Sequence, residues 1–420
     1  MAAWPLERLW QGVAAAYFAA FVVLFATHAD VFLYREGDFP LRPSLALVVL
    51  ALPLLAYLAL RLVTAPALRR DAAAQLAASL RVILPLLALT AVSLLLSVLP
   101  GAYWQEGARF ILLYAFDLTI FACALALAWL PELRRLLRPA LAVAFLVFLA
   151  TVLVDTVWPG TFSKQMSRAA GLMEEANGAV FVMVLLLVGV LRFERLSWPG
   201  VGALLLGAGG VLATLSRSGS ALFSLLVLSY AWFASVGRWS RADLTRWLRR
   251  LVLGGLVLAA VAIAGWLGLR WARHAPGMFE RPVAQQRLDI FSGVDSFLDN
   301  FQDRTSLIVE AVELIGERPW LGHGTGFSQR LDRRAHNTYL DLWVNLGIPG
   351  LLCYLWWLGA ALALFWRQRY PAGQVLVLLV GCWGLVSHTL VHDRTFLLVF
   401  GFVVSLAVVP RRPELADTGR

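Results

Sequence analysis

Twelve times along this chain an apolar run recurs that is long enough to cross a lipid bilayer, and few folds can accommodate that. A hydrocarbon core about 30 Å thick takes roughly 20 apolar residues in a helix rising about 1.5 Å per residue. Backbone N–H and C=O groups in lipid must be satisfied within their own segment, so each run is expected as a helix. The runs cover about 11–27, 44–63, 82–99, 109–130, 139–157, 177–193, 199–214, 218–236, 248–269, 338–366, 373–390 and 394–410. The expected fold class is all-α: a polytopic integral membrane protein with about 12 transmembrane helices and a long outside loop containing short helices.

Composition agrees. Of 420 residues, 60% are hydrophobic and only 15% are charged, where a soluble protein keeps about 25% charged. A net charge of +10 would suggest nucleic acid in a soluble chain, but these arginines lie mostly between apolar runs. There they orient the chain and meet anionic headgroups of membrane lipids, so nucleic acid binding is rejected. Cys123, Cys353 and Cys382 all fall inside apolar runs and form no C-x-x-C pair, which reads as structural burial. The first run is longer than a signal-peptide core and lacks a small-x-small cleavage site, so it is expected as an uncleaved span.

With the N-terminus placed in the cytoplasm, the inside segments hold 20 Lys plus Arg and the short outside segments 7, as the positive-inside rule requires. Both termini then lie in the cytoplasm. The chain divides into 1–269 with spans one to nine, an outside loop at 270–337 with nine arginines, and 338–420 with spans ten to twelve and a cytoplasmic tail. Long loops are uncommon without a function. Within this one, Leu307, Ile308, Ala311, Leu314 and Ile315 share a helical face over 303–317, with Asp303 as cap and Gly316 as stop. Such a helix suits a place against the membrane surface.

Five groups of residues can carry chemistry. In A-H-N-T-Y-L, residues 335–340, Asn337 is a good N-cap and His336 precedes it. A helix N-terminus seats phosphate, and a histidine beside it can take a proton. A plain cap with His336 at the headgroups accounts for the residues equally well. In L-S-R-S-G-S, residues 215–220, Arg217 lies in a short turn between spans, where an anionic partner or snorkelling would satisfy it. Arg287 and Arg304 in the long loop can clamp an anion or be solvated, and for Arg287 solvation is the favoured account. In R-P-W-L-G-H-G-T-G-F, residues 318–327, three glycines flank His323 as a lid, a phosphate turn or an incidental strip. In S-H-T-L-V-H-D-R, residues 387–394, His388 and His392 have metal-ligand spacing but no third ligand. A hydrogen-bond cluster with Asp393 and Arg394 is the favoured account. Asp117 inside the fourth run is a functional suspect or a helix-to-helix hydrogen bond. Acids expected outside show no D-x-D pattern, so no metal is expected.

The strips P-W-L-G-H-G-T-G, A-H-N-T-Y-L and N-L-G-I-P-G, with S-R-S-G and the placement of the long loop, resemble the bacterial O-antigen ligase and polymerase superfamily. The resemblance spans the whole topology, with its specific motifs between residues 215 and 350. It implies a metal-independent, cofactor-free membrane glycosyltransferase of the GT-C type, in the bacterial inner membrane with its active site on the periplasmic face. The implied donor is undecaprenyl-pyrophosphate-linked O-antigen and the implied acceptor is lipid A–core. By resemblance His336 is the catalytic histidine and Arg217 and Arg304 bind the donor pyrophosphate. Arg287 carries over less directly, since its local sequence matches no strip of the family. Asn337 joins the pyrophosphate site, with Asp393, Arg394 and His323 as supporting residues. Ligase is the expected activity and polymerase the close alternative. A non-catalytic lipid-linked sugar transporter would place paired charges near mid-membrane; apart from Asp117, the charges here crowd the expected outside face.

Overall fold

The computed structural model describes residues 5–97, 104–164, 168–236, 295–331, 336–387 and 390–409. Every regular element among them is helical: α1 (Pro5–Ala26), α2 (Ala29–Glu36), α3 (Pro43–Thr64), α4 (Pro66–Ser97), α5 (Trp104–Leu127), α6 (Pro131–Val157), α7 (Ala176–Val190), α8 (Trp198–Ala213), α9 (Arg217–Val236), α10 (Asp295–Glu317), α11 (Thr338–Arg367), α12 (Pro371–Gly384) and α13 (Arg394–Val408). Eleven of the twelve expected spans coincide with a helix. The ninth, at 248–269, lies outside the described residues. The architecture is that of a polytopic α-helical membrane protein: α1, α3, α4, α6, α9 and α11 are each long and apolar enough to cross a bilayer. Shorter apolar helices occupy α5, α7, α8, α12 and α13.

Length and burial sort the helices into two kinds. With 15 residues, α7 is about 22 Å long, too short to face lipid along a whole bilayer. It is apolar all round and every residue from Ala179 to Val188 is buried, against α6, α8, α9, α12 and α13. Helix α13 is likewise buried from Arg394 to Ser405. A helix apolar on every side belongs inside a large bundle. Around these two stand the long helices. They turn Leu52, Leu60 and Val63 of α3, Leu94 and Leu95 of α4, Leu146 of α6 and Trp356 and Trp366 of α11 outward, as lipid-facing surfaces require. Aromatic rings of Phe121, Trp357, Phe396 and Phe400 lock α5, α11 and α13 together, with centroids 5.0–6.5 Å apart.

Several helices run past the apolar windows. Helix α4 begins at Pro66, well ahead of the window at 82–99, because A-L-R-R-D-A-A-A-Q-L-A-A-S-L-R is made of good helix formers without a breaker. Helix α6 begins at Pro131, where a proline suits the first turn, and continues through Pro139, so Arg134, Arg135 and Arg138 lie on its first turns. The loop helix also begins earlier than expected. Asp303 lies inside α10 and does not cap it, since nothing in D-S-F-L-D-N-F-Q interrupts the helix. Its packed face centres on Ala311, Leu314 and Ile315, which meet Val344, Leu340 and Trp343 of α11, while Ile308 is largely exposed.

Helix α11 is broken at Gly347, whose φ of 64° and ψ of −163° lie outside the helical range. Pro349 has no N–H, and the break frees carbonyls one turn earlier. The glycine strip fills that gap. His323 N donates to Val344 O at 2.8 Å, Gly324 N to Asn345 O at 3.0 Å, and Ile348 N to Pro319 O at 3.2 Å. A Cβ on Gly347 would lie 2.3 Å from Trp320 O, and one on Gly322, itself at φ +66°, 2.6 Å from Gly347 N. The strips G-H-G-T-G and N-L-G-I-P-G are therefore two halves of one backbone latch, which accounts for the glycines without a lid or a phosphate turn.

Candidate active site

The site is built on the N-terminus of α11. Asn337 takes an extended conformation and its Oδ1 accepts from Tyr339 N at 2.9 Å and Leu340 N at 3.1 Å. That satisfies two of the four donors a helix start leaves open. The first turn is pinned sideways: Thr338 Oγ1 donates to Ser387 O at 2.5 Å, and the Tyr339 hydroxyl to Gly381 O at 2.8 Å. His336, one residue ahead of the cap, is exposed and forms part of the wall of a cavity of about 290 Å³.

That cavity draws on four distant parts of the chain. Its described walls include His28 of the α1–α2 turn and Val31 of α2, Glu174, Glu175, Asn177 and Phe181 around the start of α7, Trp383 of α12 and Ser387 just beyond it, and Asp393 before α13. Asp393 Oδ1 accepts from Phe396 N at 2.7 Å and so caps α13. Burial pushes its carboxyl up to about 6, against the pull of that amide and of Arg394. Arg394 turns away from the cavity, and its guanidinium meets Asp30 at 2.5 Å in a buried ion pair.

The S-R-S-G turn reaches the same place through Asn177. Ser216 caps α9, its Oγ accepting from Gly219 N at 3.0 Å, and donates to Asn177 Oδ1 at 2.7 Å. Arg168, buried beneath, gives its other donors to the same oxygen at 2.9 Å and to Thr214 O at 3.0 Å. Arg217 is the first residue of α9 and is half-buried. The 158–171 connection that delivers Arg168 is organised by Asp155. This fully buried carboxylate accepts from the backbone N–H groups of Gly160, Phe162, Ser163, Ala170 and Gly171, and from the Ser163 hydroxyl at 2.5 Å.

The structure thus brings His336 and Asp393 to one cavity and ties the turn before Arg217 to its wall. Asn337 spends its Oδ1 on the helix and has only its Nδ2 amide for a ligand. His323 is not part of that wall. Its Nε2 meets Leu314 O at 2.8 Å and its ring stacks on Phe327, so it fastens the latch to α10. Arg304 sits on α10 by its backbone, with its side chain outside the described set; Arg287 and His388 are outside the described residues. His392 Nδ1 pairs with Asp117 Oδ2 at 2.6 Å and its ring meets Tyr114 edge-on. Asp117 of α5 is thus joined to the turn between α12 and α13 rather than to a neighbouring helix. Sequence reasoning missed His28, Glu174, Glu175, Asn177 and Arg168. The polar E-E-A-N at 174–177, directly ahead of an unbroken apolar run, was the one local signal.

Residues 202–355, from α8 to the middle of α11, match the family model described as O-Antigen ligase. The stretch includes Arg217, Arg304, His336 and Asn337, while the α7 wall and Asp393 lie outside it. No curated protein matches the chain. A membrane-helix bundle whose latch, capped α11 and S-R-S-G turn all fall within that match carries a domain of the O-antigen ligase family.

Proposed function

We propose that the protein is an O-antigen ligase of the bacterial inner membrane, with both termini in the cytoplasm and the cavity on the periplasmic face. It transfers a glycan from undecaprenyl pyrophosphate to a sugar hydroxyl of lipid A–core, with inversion and without metal or cofactor. The observation that carries this reading is the place of His336: directly ahead of the capped α11 terminus, in the wall of a cavity that also holds Asp393.

A hydroxyl is a poor nucleophile until a base takes its proton. His336 accepts that proton as the acceptor oxygen attacks the anomeric carbon. The bond from that carbon to the pyrophosphate breaks, and its electron pair leaves with undecaprenyl pyrophosphate. The departing charge calls for cations and oriented N–H donors. Arg217 at the start of α9 supplies one, Arg304 and Arg287 of the 270–337 loop supply others, and the Asn337 amide adds a neutral donor. Asp393 contributes a carboxylate to the cavity, while Arg394 acts at one remove by holding Asp30.

Purified protein in lipid vesicles, given undecaprenyl-pyrophosphate O-antigen and lipid A–core, tests the reading. Glycan joined to lipid A–core, unaffected by EDTA, is the expected product. Extension of the lipid-linked glycan in its place would make the chain a polymerase, and movement of the donor across the bilayer without transfer would make it a transporter.

A further inference from the structure

Helices α4 and α11 pack side by side, and toward one end they part around a groove of about 680 Å³. The sequence makes the gap. Ala77, Ala78 and Arg81 share a face of α4, and Ala360, Ala363 and Arg367 share a face of α11, at spacings of three and four residues. Alanines thus stand where larger side chains would close the contact. Leu84 and Trp356 continue the groove along the lipid-facing surface, each about half exposed. The groove is remote from the candidate active site. On that side α4 is tied to the latch, where Thr325 Oγ1 donates to Ser93 O at 2.6 Å, and α11 runs 30 residues from its cap to Arg367.

The charges over the groove say what fits it. Among the described residues neither Arg81 nor Arg367 forms an ion pair or a side-chain hydrogen bond, and no carboxylate lines the groove. Elsewhere in the bundle arginines are answered from within the chain: Arg61 meets Glu132 at 3.4 Å, and Arg394 meets Asp30. A single arginine near a bilayer surface needs no explanation beyond snorkelling. Two of them, from different helices and over one apolar slot, offer a seat to a negative headgroup that carries an apolar tail. Trp366 beside Arg367 is 70% exposed, and an amphipathic indole favours the headgroup boundary, which puts both at the right depth. Basic pockets between transmembrane helices take the headgroups of anionic lipids.

We propose that the groove between α4 and α11 binds one anionic phospholipid, with its phosphate between Arg81 and Arg367 and an acyl chain along the alanines toward Leu84 and Trp356. By the proposed topology this lipid belongs to the cytoplasmic leaflet, and the proposal does not depend on the glycan-transfer reading. Full-length protein in a neutral detergent is titrated with phosphatidylglycerol or phosphatidylcholine, with native mass spectrometry counting bound lipid and a thermal midpoint reporting stabilisation. The wild type should retain one phosphatidylglycerol and melt higher with it than with phosphatidylcholine. An arginine beside an anionic headgroup is worth roughly a factor of five in affinity. Arg81→Gln with Arg367→Gln should therefore weaken phosphatidylglycerol binding roughly thirtyfold, while Arg69→Gln, exposed on α4 outside the groove, should leave it unchanged. Ala363→Trp fills the groove and keeps both charges, and it should also release the lipid. Where the double variant does not fold, Ala363→Trp is scored in its place. Equal binding of the two lipids, an unchanged affinity in the double variant, or stabilisation by inorganic phosphate equal to that by phosphatidylglycerol overturns the proposal. So does an Ala363→Trp that keeps its lipid but turns a dimer into a monomer, since the groove then seats a second copy of the chain.

Discussion

Asn337 and His336 divide one helix terminus between them: the first satisfies backbone, the second is left to face the cavity. Replacing His336 separates its two conceivable roles. As a base it contributes about 10²- to 10⁴-fold, so His336→Ala should lose transfer by that order and still bind donor. The rate should fall toward acid pH, where a protonated imidazole has no lone pair to accept with. A cationic role would reverse the slope, and His336→Arg would retain activity. Asp393 offers a pH test of a different kind. Its carboxyl titrates near about 6 in the fold against 3.8 when unperturbed, so the folded state holds the proton more tightly. That contribution is present below about pH 4 and is lost as pH rises through about 6. Asp393→Asn keeps an oxygen for the Phe396 amide and does not titrate. Its thermal midpoint should therefore gain on the wild type between pH 4 and 7; a constant difference would contradict the assignment. Arg394 and Asp30 form a pair that is costly to break from one side, about 3–5 kcal/mol when a buried partner is left alone. Arg394→Met should unfold the protein far more readily than Arg394→Met with Asp30→Leu, as denaturation of the two variants in one detergent would reveal.

At the scale of elements, the break in α11 and the glycine strip stand or fall together. Gly347→Ala places a methyl into Trp320 O and forces a side chain to a left-handed φ, which should cost at least about 2 kcal/mol. Gly316→Ala, with open space around its Cβ, is the matched control and should cost nothing. Hydropathy located the spans because lipid leaves the backbone no alternative to a helix. It could not locate α2, eight residues of mixed polarity, whose partner Arg394 is 364 residues away. The same distance hides the cavity. Asn337 declares itself by its spacing to the helix it caps, whereas His28, Glu174 and Asp393 meet only through the packing of four helices. The motif N-L-G-I-P-G was visible as a string, but that it opens a helix to receive G-H-G-T-G is a tertiary fact.

For the molecule as a whole, short buried helices ringed by long lipid-facing ones leave the cavity at one end of the bundle, where α1, α7, α11, α12 and α13 have termini or turns. By the positive-inside reading of the arginines, we propose that this end lies outside the cytoplasm. Single cysteines at Glu317 and at Arg369, both exposed, should react with a membrane-impermeant maleimide from opposite sides, Glu317→Cys from the periplasm and Arg369→Cys from the cytoplasm. The reverse pattern would invert the topology. The central claim is that His336 in this cavity carries out glycan transfer to lipid A–core. The most direct measurement is transfer from undecaprenyl-pyrophosphate O-antigen to lipid A–core by vesicles holding the wild type or His336→Ala, with donor binding measured on the same samples. The account predicts product with the wild type, and with His336→Ala a loss of about 10²-fold or more at unchanged donor affinity. Full activity in His336→Ala, or a wild type that binds donor and never glycosylates lipid A–core, would contradict it.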